Sequence, residues 1–133
     1  MKVMVLGKAT PQSEAGEFGS PEEFVAMDEY NQKLAEAGIV LVAGDGLQPS
    51  SKGKRVAFDP DGNATVIDGP FAETKELVAG YSIWEVSSMD EAVEWAKRTP
   101  FRNGQVELRK ILDASDFDPS FGDQIAAAAE PAG

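Results

Sequence analysis

The chain predicts an α+β fold of the ferredoxin-like βαβ–βαβ kind with one hairpin added. Three observations carry this. Apolar, β-branched runs alternate with two helix segments in the order strand, helix, strand, hairpin strands, strand, helix, strand. Each helix segment opens on a capping signal, Ser20-Pro21-Glu22-Glu23 and Ser88-Met89-Asp90-Glu91. The strands are also apolar on both parities: Val3 and Val5 alternate with Met4 and Leu6, and Ile83 adjoins Trp84. Two helices cover only one face of such a sheet, so the other face calls for a second copy, and the pattern predicts a homodimer.

Taken in order, residues 3–6 read as a central strand ended by Gly7. Residues 8–20 read as a surface loop with Phe18 as its apolar anchor. A helix is expected over 21–37, with Phe24, Met27, Leu34 and Tyr30 or Ala37 on its buried stripe and Gly38 as the stop. Residues 39–43 form the second strand and run into Gly44-Asp45-Gly46, where glycine permits a bulge or bend. Residues 55–58 and 64–67 pair as a hairpin across the turn Asp59-Pro60-Asp61-Gly62.

Gly69-Pro70 then breaks the chain before a long strand over 78–86 that carries Tyr81 and Trp84. Those two side chains fall on opposite faces, one under the helices and one toward the second copy. The second helix starts at Ser88, buries Met89, Ala92, Val93 and Ala96, and ends at Thr99-Pro100. Residues 106–112 form the last strand. Residues 113–133 change to an acidic, alanine-rich arm in which Ile125 and the alanines favour a short helix, leaving 1–112 as one α+β domain.

Composition excludes several chemistries. The chain of 133 residues has no cysteine and no histidine. Thiolate metal sites, disulfides, cysteine nucleophiles and histidine-dependent triads are therefore ruled out, and acid–base work falls to Asp, Glu, Lys, Tyr or water. No cofactor is called for. The formal charge of -11 disfavours direct binding to nucleic acid or anionic membrane. The apolar run at the N-terminus is too short for a signal-peptide core or a span, so a cytoplasmic, soluble protein is expected.

The densest motif is Asp68-Gly69-Pro70-Phe71-Ala72-Glu73-Thr74-Lys75-Glu76. Together with Gly46-Leu47-Gln48-Pro49 before the hairpin, the Gly80-Tyr81 step, the helix segment 90–96 and Val106-Glu107-Leu108-Arg109, it resembles the DGPF-type members of the YCII-related family. The resemblance covers most of residues 1–112. It implies a dimeric α+β barrel, two ferredoxin-like sheets facing each other with helices outside. That fold is shared with small cofactor-free oxygenases, isomerases and dehydrochlorinases. Most DGPF-type members have no established activity, and some are associated with extracytoplasmic-function sigma factors, which implies a regulatory partner. The His–Asp pair proposed for YCII proteins proper has no counterpart here, because the chain has no histidine.

Within this frame Asp68 reads as a turn residue capping Gly69-Pro70, or as a pocket carboxylate acting as base. Glu73 is the second candidate base. In an extended segment Glu73 and Lys75 share a face and could line a cleft. Phe71 is read as an anchor packing this loop onto the core. Arg55 and Arg109 are the strand-borne cations able to pair with Asp68, Glu73 or Glu107, or to hold a substrate carboxylate. Asp45, between glycines, offers a carboxylate where backbone approaches a ligand closely. Of Tyr81 and Trp84, the one that faces the second copy inside the barrel would wall a small apolar pocket. Two functions follow: a small-molecule-binding or accessory protein, or a cofactor-free enzyme using Asp68 or Glu73 on a carbonyl- or carboxylate-bearing substrate.

Overall fold

The computed structural model describes residues 1–120 and 127–128. Its centre is a four-stranded antiparallel sheet of β1 (Lys2–Lys8), β2 (Val40–Val42), β5 (Val78–Glu85) and β6 (Val106–Lys110), in the order β2-β5-β1-β6. This is the ferredoxin-like arrangement. The hairpin of β3 (Lys54–Phe58) and β4 (Ala64–Asp68) forms a separate two-stranded sheet between β2 and β5 in the chain. Its turn is built as its residues demand: Asp59 accepts the backbone N–H of Asp61 and of Asn63, and Gly62 takes φ 84.

Helices α2 (Pro21–Glu36) and α3 (Met89–Ala96) cover one face of the sheet. Ser20 and Ser88 accept the N–H of Glu23 and Glu91 respectively. The reciprocal half of the second box shifts by one residue, since Glu91 accepts from Ser87 N–H instead of Ser88. The core under these helices joins Val3 and Val5 of β1, Tyr30 and Leu34 of α2, Ile39, Trp84, Val86 and Ala92. Val3 stands opposite Trp84 in the register, and both are almost fully buried. Each large apolar side chain enclosed here stabilises the fold by about 1.5–3 kcal/mol relative to exposure.

Alternation along the strands assigns the other face. Met4 lies between Ile83 and Arg109, and Leu6 between Tyr81 and Glu107. Trp84 therefore lies under the helices and Tyr81 on the uncovered face. Leu41 and Val42, at the β2 edge, are 50% and 44% exposed.

Several expectations change. Residues 8–20 are not all loop: β1 extends through Lys8, and a four-residue helix α1 (Pro11–Glu14) follows, capped by Thr10 and Ser13 in a reciprocal box. Phe18 is 64% exposed and anchors nothing. Phe24, 60% exposed, lies off the buried stripe of α2, which runs through Met27, Tyr30 and Leu34. Residues 73–76 are not extended. Glu73 sits at φ 62 and Thr74–Glu76 form a 3-10 turn, so Glu73 and Lys75 share no strand face. Past β6, Asp113 caps a short turn, and Lys110 holds both carboxylate oxygens of Asp116 at 2.7 and 2.8 Å. Residues 127–128 are helical; Ile125 and the rest of the expected terminal helix lie outside the described residues.

Candidate functional site

A cavity of about 450 Å³ lies between α2 and the helix-covered face of the sheet. Its size falls in the range of small-molecule sites. Helix α2 supplies Met27, Tyr30, Asn31, Leu34 and Ala35, and β1 supplies Val5, Gly7 and Lys8. Val40 and residues 43–46 close one side, Ser82 and Trp84 form the floor, and Thr99, Phe101 and Val106 complete the wall. The lining is mostly apolar because the 27-30-34 stripe of α2 faces the alternate residues Val5, Ser82 and Trp84 of the strands.

The bend at 43–46 is a close-packed feature. A Cβ on Gly44 would fall 1.2 Å from the Tyr81 carbonyl oxygen, so only glycine fits. The segment then continues alongside β5, with Tyr81 N–H donating to Asp45 O and Leu47 N–H to Ala79 O. Asp45 and Tyr81 thereby border the cavity.

The polar groups around the cavity are few. Tyr30 Oη donates to Trp95 O at 2.7 Å and lies 3.3 Å from Thr99 Oγ1, which donates to Ala96 O at 2.7 Å. Burial raises the Tyr30 pKa above 10.0, opposed by the Thr99 hydrogen bond and the charge of Arg98. Tyr30 is thus a neutral hydrogen-bonding group at physiological pH. The Trp84 indole Nε1–H has no acceptor, the one buried side-chain polar atom so left among the described residues. Such a group costs about 1–3 kcal/mol. Lys8 belongs to the wall, but its ammonium reaches the Glu76 carbonyl at 3.2 Å and the Glu107 carboxylate at 3.6 Å.

The motif-bearing residues lie elsewhere. Asp68 is exposed and pairs with Lys54 across the base of the hairpin; it accepts no backbone N–H from the Gly69-Pro70 turn. Arg55 stacks on the Phe71 ring at 3.9 Å, so Phe71 ties the loop to the hairpin and not to the main core. Arg109 pairs with Glu107 at 3.3 Å on the uncovered face. Glu73 and Lys75 are exposed. Of the eight sequence candidates, Asp45, Tyr81 and Trp84 border the cavity, although the Tyr81 side chain lies on the uncovered face and the cavity is on the helix side, not the barrel side expected; Asp68, Glu73, Arg55, Lys75 and Arg109 stay outside it.

What holds the 68–76 segment is a contact absent from the sequence reading. The Glu14 carboxylate accepts both the N–H (2.8 Å) and the hydroxyl of Ser50, and Ser50 Oγ accepts Phe71 N–H at 3.1 Å. A Cβ on Gly69 would meet Ser50 O at 1.7 Å. Tyr30, Thr99 and Ser82 were likewise missed as site residues. Their one signal is a polar tip at a buried position, Tyr30 within the stripe of α2 being the clearest.

A wider cleft of about 1240 Å³ opens between α1, the start of α2 and residues 100–103. It is rimmed by exposed Glu17, Phe18, Glu22, Glu23 and Arg102. No described helix is long and apolar enough to cross a membrane.

Comparison with known proteins gives three findings. An uncharacterized protein of Rhizobium meliloti (strain 1021) is 40% identical over 53 residues, which cover 38% of this chain and 43% of that protein, so the match spans less than half of the relative. The 5-chloro-2-hydroxyhydroquinone dehydrochlorinase of Burkholderia phenoliruptrix AC1100, in complex with 2,5-dihydroxybenzoquinone, superposes with a TM-score of 0.41 at 18% identity, covering 89% of this chain and all of that one. The YCII-related domain matches residues 1–115, from β1 past β6, and the chain belongs to the YCII-related family.

Proposed function

We propose that this protein is a DGPF-type member of its family that binds a small molecule in the cavity beneath α2. The observation that carries the reading is a mostly apolar cavity of about 450 Å³ lined by Val5, Met27, Leu34, Val40 and Trp84.

The test is native mass spectrometry of the purified protein. Asn31 lies on the exposed rim of the cavity, where a helix accepts a larger side chain. A small molecule retained by the wild type and by Asp68→Asn, and absent from Asn31→Trp, is the expected result. Equal retention in Asn31→Trp would move the site elsewhere.

The same reading includes a homodimer through the uncovered sheet face. Met4, Leu6 and Ile83 are only half-buried within one chain, and Tyr81, Leu41 and Val42 extend the apolar surface. Sedimentation at micromolar concentration is expected to give a dimer that Ile83→Glu dissociates; a stable wild-type monomer would remove this part of the reading.

An enzymatic reading has one specific support. Asp45 is the carboxylate-bearing residue that borders the cavity, whereas Asp68 and Glu73 lie outside it. A cofactor-free proton transfer would use Asp45, and Asp45→Asn would abolish turnover while leaving ligand retention intact.

A further inference from the structure

The β3–β4 hairpin has no cover of its own. Both five-residue strands are exposed along their whole length, and they pair with each other, apart from the four-stranded sheet. We propose that the hairpin is an arm that packs its apolar face on a second copy of this chain. The proposal rests on the reading of the protein as a homodimer and extends that interface beyond the uncovered sheet face.

The register defines the face. Lys54 stands opposite Asp68, Val56 opposite Val66 and Phe58 opposite Ala64, so these six side chains share one side. The other side carries Arg55, Ala57, Thr65 and Ile67, and Arg55 there stacks on Phe71. The first side leaves Val56, Phe58 and Val66 at 51%, 71% and 62% exposure. A two-stranded hairpin is marginally stable alone in water, and large apolar side chains gathered in one exposed patch mark an interaction surface.

Size and charge identify the occupant. A stable interface takes about 20–30 residues a side. The sheet face offers Met4, Leu6, Ile83, Tyr81, Leu41 and Val42, the first three already half-buried, which is too few. The two strands of the hairpin bring the contact toward that size. The formal charge of -11 opposes contact between copies over most of the surface. On the hairpin face, however, Lys54 and Asp68 pair with each other. On the sheet face Glu107 pairs with Arg109, and Glu85 with the N-terminal ammonium. Both faces carry matched charges and can meet without like-charge repulsion. A cationic foreign partner would find its counter-charges on the acidic remainder instead. In a two-fold dimer each copy gives one arm and receives one, which closes the assembly at two.

The experiment is sedimentation equilibrium of the full chain as wild type, Phe58→Ala, Val66→Glu and, on the opposite side of the hairpin, Thr65→Glu, each shown to be folded by circular dichroism. The chain has no cysteine, so Ala64→Cys carries a single benzophenone label on the apolar face. Irradiating an equal mixture of light- and heavy-nitrogen protein then shows by mass spectrometry whether cross-linked peptides come from one copy or two. The dimer dissociation constant is expected to rise at least about tenfold in Phe58→Ala and Val66→Glu, the effect of losing a buried interface anchor, and to stay at the wild-type value in Thr65→Glu. Cross-links are expected to join light peptides to heavy ones.

If Phe58→Ala and Val66→Glu keep the wild-type constant, or cross-links form within single copies, the hairpin is not an arm, while a dimer through the sheet face stands. If Thr65→Glu weakens the dimer as much as the other two, the assignment of the face is overturned. If the wild type is a monomer at micromolar concentration, the homodimer reading fails and this proposal fails with it.

Discussion

Two joints in this chain look alike and do different work. Residues 43–46 and residues 68–76 both connect strands, both contain glycine beside aspartate, and both press a glycine against a backbone carbonyl: Gly44 on Tyr81 O and Gly69 on Ser50 O. The second is far richer in charge. Yet Asp68, Glu73, Lys75 and Glu76 are exposed. The first joint has one charged side chain, Asp45, itself exposed, and borders the cavity. A mostly apolar lining, not charge density, distinguishes the candidate site, because a charged group in water is screened and its partners exchange freely.

Substitutions at the two glycines test this difference most strongly. Gly44→Ala places a Cβ on the Tyr81 carbonyl and forces the bend away from β5, costing about 3 kcal/mol. The melting temperature is expected to fall by about 10 °C. Gly69→Ala meets a similar steric conflict but displaces a loop outside the core. It should lower the melting temperature less and leave the Trp84 indole resonance in place.

Hydrogen-bond deletions come next. Ser50→Ala removes the acceptor of Phe71 N–H and a donor to Glu14, freeing the 68–76 joint at a cost of about 1–2 kcal/mol by denaturant titration. Tyr30→Phe removes one of the two hydrogen bonds to Trp95 O, which keeps the Arg98 N–H, at a cost of about 1 kcal/mol, but on the cavity side, so it should also weaken ligand binding where Ser50→Ala does not. The folded pKa of Tyr30 is raised above 10.0. Its contribution is therefore complete below pH 10 and is lost as pH rises through the folded value, a loss that Tyr30→Phe should not show.

Asp68→Asn is expected to change stability by less than about 0.5 kcal/mol, since its pair with Lys54 is solvent-exposed. The smallest effect belongs to the turn after β6. Hydrogen bonds from Ser115 lower the Asp113 pKa, and the Lys110 ammonium lowers that of Asp116, both from 3.8. These contacts are complete above pH 3.8 and are lost as pH falls through the lower folded values. Faster amide exchange at residues 113–116 in acid, with the global melt unaffected, is the expected signature.

The sequence made the architecture legible through local signals. Ser20 and Ser88 marked helix starts, Asp59 to Gly62 marked the hairpin turn, and alternating apolar residues marked the strands, all of which depend on neighbours in the chain. The exposure of Phe18 and Phe24 was not legible, because amphipathic spacing does not say how far a helix face is covered. The site was legible only in part. Trp84, Tyr81 and Asp45 were named from their types and positions, but no local pattern unites them with Tyr30 and Thr99. Glu14 and Ser50 lie 36 residues apart, a long-range contact that no periodicity encodes.

The central claim is that binding resides under α2 and not at the charged joint. Native mass spectrometry of Asn31→Trp and of the double variant Asp68→Asn/Glu73→Gln tests it side by side. Wild-type retention of the co-purified small molecule in the double variant, and its loss in Asn31→Trp, is the expected result. Loss of binding in the double variant, with Asn31→Trp unaffected, would contradict it.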